Sequence, residues 1–331
     1  KNRGNQSIIA TFEDEPYRAH FSGNVLELCP VGALTSTTYR FRARPWEIQN
    51  VPTVCGLCPV GCNVWATTRE GKVARILSRN HPEVDDGWLC DKGRFAYDHL
   101  RAADRIREPL RRVRRRGFEK VSWDETLDEA ERGLGAAVGS VAVAFSGGET
   151  VEQAAALARI VRLGLGSDVA IVPDDVNPAL DAYRAPLSAI RDADLCLVLG
   201  DEPVVERAPV VDLWLRAARR QGGDVVTVNA AGTVPVALGS AASICAALRE
   251  GSPPSELRET ARKLKRAKRI AVVWSEDDPS GGAHAGALAD SLGGRAAVYM
   301  LPRTPNGRGV ASAWRSAGEG RGDSPRPRQE L

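Results

Sequence analysis

The chain has 331 residues, 43% apolar and 26% charged, with a formal net charge of +3. Those values suit a soluble globular protein of one large or two ordinary domains, and the small charge is no argument for a nucleic-acid partner. No apolar run approaches the roughly 20 residues needed to span a bilayer, and the opening KNRGNQ is no secretion signal. With Lys1 first and Met300 the only methionine, the expectation is a segment of a longer reading frame.

Taken in order, residues 1–45 are mixed in texture and contain FSGNVLELCPVGALTS. A cysteine-rich unit is expected over 46–103, and the basic RIREPLRRVRRRGFEK at 105–120 reads as an extended connection. Without interleaved aromatics, the run Arg105–Arg116 suits a solvated arm or subunit contact rather than nucleic acid. An α/β domain is expected over 104–310, carrying the short apolar runs VAVAF (141–145), VAIV (169–172), LCLVL (195–199), VVTVN (225–229), IAVVW (270–274) and AAVYM (296–300). Such runs predict parallel strands buried on both faces.

Helical patterns separate these runs. Ser122 with Glu125, and Thr150 with Gln153, have capping-box spacing. Val210, Leu213, Trp214, Ala217 and Ala218 predict one apolar stripe, ended by Gly222 and Gly223. The alternation predicts a doubly wound parallel sheet. FSGGET (145–150) and GDEP (200–203) stand where phosphate loops can stand, but without a full glycine fingerprint both read as tight turns. Residues 311–331 are poor in apolar groups and predict a flexible tail.

Seven cysteines, five of them within the first 90 residues, do not read as a disulfide framework. Cys55, Cys58, Cys62 and Cys90 follow the pattern C-x2-C-x3-C-x27-C. Structural zinc draws its thiolates from two separated knuckles. Three ligands from one loop and one from afar suit a cubane better, so the pattern favours a [4Fe-4S] cluster over zinc, with plain buried cysteines third. Gly56 and Gly61 would bring backbone N–H groups toward the sulfides, and Pro59 would stiffen the turn. Cys29, alone before Pro30, reads as a small buried hydrophobe. His20, His81, His99 and His284 are scattered and form no catalytic set.

FSGNVLELCPVGALTS, CGLCPVGC, WLCDKGRFAYDHL and RIREPLRR with GFEKVSWDETL together resemble the large iron–sulfur subunits of bacterial complex I, a divergent branch of the molybdopterin oxidoreductases. The likeness covers residues 5–230 closely and 231–315 more loosely. It implies a [4Fe-4S] domain followed by an α/β domain of molybdopterin-oxidoreductase type. It implies Cys55, Cys58, Cys62 and Cys90 as ligands of an additional [4Fe-4S] cluster away from the main electron path. Cys29 is carried over as a ligand of a second [4Fe-4S] cluster, whose other ligands would precede Lys1, as would a [2Fe-2S] domain. Residues 1–45 would then end an upstream ferredoxin-like domain. Lys92 matches the lysine that stands between cluster and pterin in the molybdenum relatives.

The function implied is electron transfer from NADH and FMN toward quinone, as a peripheral subunit of a membrane-associated translocase on the cytoplasmic side of the plasma membrane. Its partners would be other peripheral-arm subunits, including the NADH/FMN-binding one, and no segment would enter the membrane. The competing reading is a catalytic molybdopterin enzyme such as a formate dehydrogenase-like subunit. That reading needs a metal ligand after the second α/β strand. No cysteine stands between Cys90 and Cys196, so no molybdenum is expected, although Asp174, Asp175 and Asp181 offer carboxylates there.

Overall fold

A computed structural model describes residues 4–7, 10–11, 15–115, 117–173, 178–200, 202–228, 240–275 and 280–319. It begins with a short helix, α1 (Asn24–Leu28), followed by an antiparallel three-stranded sheet of β1 (Gln49–Val54), β2 (Asn63–Arg69) and β3 (Lys72–Ser78). The register pairs Val54 with Asn63, so residues 55–62 form the loop of a hairpin. Helix α2 (Asp91–Phe95) then packs beside β3.

The basic stretch is not extended. It folds into a hairpin, β4 (Leu110–Val113) against β5 (Gly117–Lys120). Ion pairs of Arg111 with Glu119 at 2.6 Å and Lys120 with Glu108 at 2.6 Å flank it. Its cations are therefore partly matched by acids close by, which a linear count of arginines does not reveal.

Helix α3 (Trp123–Gly135) starts at the expected box: Ser122 Oγ accepts from Glu125 N, and the Glu125 carboxylate accepts from Ser122 N, both at 3.1 Å. Its apolar residues Trp123, Leu127 and Leu134 stay exposed. Next come β6 (Val143–Ala144), α4 (Val151–Arg159), capped in the same way by Thr150 and Gln153, and β7 (Ala170–Ile171). These two strands pair only with each other, apart from the main sheet.

That main sheet is built from β8 (Leu195–Leu199), β9 (Asp224–Val228), β10 (Ile270–Trp274) and β11 (Ala296–Met300), all parallel in the order β11-β10-β8-β9. The connecting helices are α5 (Val204–Arg207), α6 (Pro209–Arg220), α7 (Ala241–Glu250), α8 (Arg258–Arg266) and α9 (Ser280–Ser291). Alternate side chains face opposite ways. Cys196, Val198, Ala271 and Val273 pack with α5 and α6, while Leu195, Leu197, Leu199, Val272 and Trp274 pack with residues of α7, α8 and α9. Helices thus cover both faces, and the sheet is doubly wound.

Helix α6 buries Val210, Val211, Trp214, Leu215 and Ala218. Relative to the predicted stripe, the helix is rotated so that Val211 and Leu215 replace Leu213 and Ala217. A final helix, α10 (Gly307–Glu319), buries Val310, Ala311 and Ala313, the first and last of these against Phe145 and Ala154. This corrects the expected tail from 311: three small apolar residues suffice because α10 lies in a groove against α4. Residues 320–331 lie outside the described part.

Candidate metal centre

Cys55, Cys58 and Cys62 sit on the hairpin loop between β1 and β2. The loop is closed at its neck by the Cys55 N–H, which donates to the Cys62 carbonyl at 2.8 Å. Gly61 turns the chain at φ 66°, a left-handed conformation that glycine adopts without strain. Gly56 has ordinary backbone and open space where a Cβ would stand, so its turn imposes no demand for glycine.

Cys90 arrives from the far side as the N-cap of α2, and its sulfur accepts from Gly93 N at 3.4 Å. A Cβ on Gly93 would lie 2.8 Å from Leu89 Cδ1 and 3.3 Å from Cys55 Sγ. Only a residue without a side chain lets α2 approach the loop this closely.

Burial raises the Cys58 thiol to about 11, against a partial lowering by the Val60 N–H and Lys92. Burial likewise pushes Cys55 up, opposed chiefly by the Leu57 N–H. Cys62 is raised by burial first, then by Cys58, Cys55, Asp85 and Cys90. The four thiols therefore share one electrostatic neighbourhood. Yet among the described residues no group of three or more His, Cys, Asp or Glu side chains is disposed to hold a metal ion. The amide donors beside three of the sulfurs, from Leu57, Val60 and Gly93, are of the kind that tune an iron–sulfur core.

Asp85 is the site residue that sequence reasoning missed. It is fully buried, and its carboxylate accepts from Asn63 N at 2.8 Å, Gly87 N at 2.9 Å and His81 N at 3.1 Å. It thereby ties the start of β2, directly after Cys62, to the turn that leads to Cys90. The only signal is Asp-Asp-Gly, which reads as a surface turn.

Lys92 is exposed on the wall of a cleft of about 280 Å³, opposite Glu202, Glu206 and Arg303, with Cys58 and Pro59 at its edge. Cys29 stands elsewhere, half-exposed at the C-terminal end of α1, and is not the buried hydrophobe its sequence context suggests. The Leu34 N–H lowers its thiol most; partial burial opposes this, and the N–H groups of Ala33, Val31 and Gly32 add to the lowering. A ring of amides of this kind favours a thiolate.

The cysteine-rich unit rests on the sheet. Cys58, Val60, Cys62 and Leu89 join the core that contains Val198 and Val273, and Trp214 Nε1 donates to the Val84 carbonyl at 2.9 Å. At the topological switch between β8 and β10, where doubly wound sheets bind ligands, Arg207 is buried. Its guanidinium donates to the carbonyls of Ser275 and, at 3.3 Å, Leu301, and pairs with Glu202. A Cβ on Gly200 there would collide with Ser275 Oγ at 1.9 Å, so the chain packs closely against Ser275 at that point; Asp201 lies outside the described residues.

FSGGET is occupied by its own acid. Glu149 accepts from Ser146 N, Ser146 Oγ and Gly147 N, each at 2.9 Å, so two of the N–H groups a phosphate would use are taken. An adjoining cavity of about 750 Å³ is walled by Pro59, Glu83, Arg184, Arg308 and Arg315. Asp181, at its edge, is held by Arg184 at 3.6 Å and by Arg308. Asp174 and Asp175 lie outside the described residues. Cys196 and Cys245 are fully buried in apolar surroundings.

Residues 105–273, more than half of the chain, match the family model of molybdopterin oxidoreductases. The chain belongs to the molybdopterin oxidoreductase family. Residues 48–102, which hold Cys55, Cys58, Cys62 and Cys90, match the Fe4S4 domain of molybdopterin oxidoreductases, so the chain carries a [4Fe-4S] domain of that family. Residues 1–35 match the ferredoxin-like domain of NADH-quinone oxidoreductase subunit 3.

Among curated relatives, the G subunit of NADH-quinone oxidoreductase from Streptomyces coelicolor is 34% identical over 94% of this chain and 41% of its own length. Its counterpart in Mycobacterium bovis is 35% identical over 95% of this chain and 41% of its own. NADH-quinone oxidoreductase subunit 3 of Thermus thermophilus is 37% identical over 64% of this chain and 27% of its own. The chain thus spans about two fifths of the length of the Streptomyces and Mycobacterium relatives. No helix among the described residues is long and apolar enough to cross a membrane.

Proposed function

We propose that this chain is part of an iron–sulfur electron-transfer subunit of NADH-quinone oxidoreductase, within a route from NADH and FMN to quinone. Cys55, Cys58, Cys62 and Cys90 would hold a [4Fe-4S] cluster, which supplies one-electron redox chemistry when bound. The observation that supports this best is the hairpin loop, closed by the Cys55–Cys62 hydrogen bond, faced by a fourth thiol on α2. The chain's own residues would exclude water through Val60, Leu89 and Val64, hold the loop through Asp85, and aim N–H groups of Leu57, Val60 and Gly93 at sulfur.

Cys29, with its amide ring, would ligate a second cluster together with residues before Lys1, downstream of a [2Fe-2S] domain. Lys92 would place a positive charge beside the Cys55/Cys58 edge. The partners would be other peripheral-arm subunits of complex I, including the NADH/FMN-binding one, on the cytoplasmic side of the plasma membrane. The domains would run 1–45, 46–103 and onward from 104. Molybdopterin catalysis is not part of this reading. Cys196 and Cys245 offer no accessible thiolate, and Asp181 is engaged by two arginines.

Cys58→Ser and Cys90→Ala test the assignment. Each is expected to lower iron content and to open residues 46–103 to proteolysis, because ligand capture and folding are coupled. Iron content and proteolysis unchanged in both variants would overturn it.

A further inference from the structure

Helix α1 is a single short turn that cannot stand alone. Its apolar residues anchor it weakly: Val25 and Leu28 are exposed, Leu26 is half-buried, and Asn24 is its only fully buried residue. The main anchors are polar. The Asn24 amide grips the backbone of Leu89, donating through Nδ2 to the carbonyl at 2.7 Å and accepting from the N–H at 3.3 Å. The Asp91 carboxylate accepts from Gly23 N at 2.7 Å and from the Ser22 hydroxyl, while Asp91 N donates to the His20 carbonyl at 2.7 Å.

Arg94 is 3% exposed; it donates to Asn24 Oδ1 at 3.1 Å and pairs with Glu27. Glu27 in turn accepts from Ser78 N at 3.0 Å and from the Ser78 hydroxyl. Apart from Ser78, every one of these partners lies in residues 89–94, the segment built around Cys90. A Cβ on Gly23 would stand 2.4 Å from Arg94 Cδ, so the two segments touch. At the other end of α1, the Cys29 N–H donates to the Val25 carbonyl at 3.2 Å, and the amide-ringed loop follows.

We propose that Asn24, Glu27, Asp91 and Arg94 are positioning residues that lock the Cys29 loop to the segment bearing Cys90, so that filling the four-cysteine site orders the loop that presents Cys29. The inference rests on the ligand assignment proposed above. Its physical basis is that a buried guanidinium left without its carboxylate is costly, so losing either partner of the Arg94–Glu27 pair loosens the contact between the two segments. Whatever fixes α2 thereby fixes α1.

The test uses the polypeptide at its relatives' length, purified anaerobically, as wild type, Glu27→Ala and Asp91→Ala. Amide hydrogen exchange over residues 24–34, iron content and the paramagnetic signals of the reduced clusters are read together. In the wild type, stripping iron is expected to speed exchange over 24–34 by about tenfold or more. In both variants that exchange is expected to be fast while the four-cysteine cluster persists, and the signal of the second cluster is expected to fall severalfold.

Unchanged protection over 24–34 in both variants would overturn the inference. So would loss of the four-cysteine iron in both, since these residues would then serve that domain's folding rather than the loop. A wild type that holds no iron at Cys55, Cys58, Cys62 and Cys90 would instead sink the ligand assignment, and the clamp with it.

Discussion

Asp85 accepts three backbone N–H groups from within the buried side of the cysteine-rich unit. Replacing it with alanine strands all three donors, and the expected cost is about 3 kcal/mol in the metal-free chain, read from urea unfolding. A loss no larger than that of a surface substitution would show that water replaces the carboxylate. The cysteines were legible in the sequence because their spacing is itself the signal. Asp85 was not, because its partners lie across the chain and the stretch EVDDGW looks like any polar turn. Cys29 shows the same limit: its sequence surroundings suggest a buried thiol, and only the fold of residues 31–34 shows amides turned toward it.

At the scale of elements, Gly93 sets how closely α2 meets the loop. Gly93→Ala places a methyl group against Leu89 and Cys55, and is expected to cost about 1–3 kcal/mol and to reduce iron uptake. Full uptake in that variant would mean that the loop yields freely. Strand β8 carries a second prediction. Burial raises the Cys196 thiol from 9.0 to about 12. The unfolded chain therefore loses this proton first as pH rises. The contribution of Cys196 to stability is fully present below about pH 9 and drains away toward pH 12. Thermal melts of the metal-free chain should fall across that window, and Cys196→Ala should flatten the fall; an equal slope in the variant would contradict the burial argument.

The four strands of the main sheet were readable because each carries a short apolar run, unbroken and fully buried in the two central strands β8 and β10. The β4–β5 hairpin and α10 were not. The hairpin brings Arg111 to Glu119 and Lys120 to Glu108, and α10 packs against α4, and neither pairing is visible in local composition.

At the scale of the whole molecule, a doubly wound sheet carries the cysteine-rich unit on one face, and Arg207 is buried at the crevice where such sheets receive ligands, tied to the carbonyls of Ser275 and Leu301. Fold class and order of units could be read from alternating strands and helices. The anchoring of Arg207 could not, since it depends on one arginine reaching the carbonyls of Ser275 and Leu301. The most direct test is iron, sulfide, zinc and molybdenum analysis, with Mössbauer spectroscopy, on anaerobically reconstituted protein. The account predicts about four irons and four sulfides per chain in one cubane, lost in Cys58→Ser. Stoichiometric zinc, or no metal retained by the folded wild type, would contradict it.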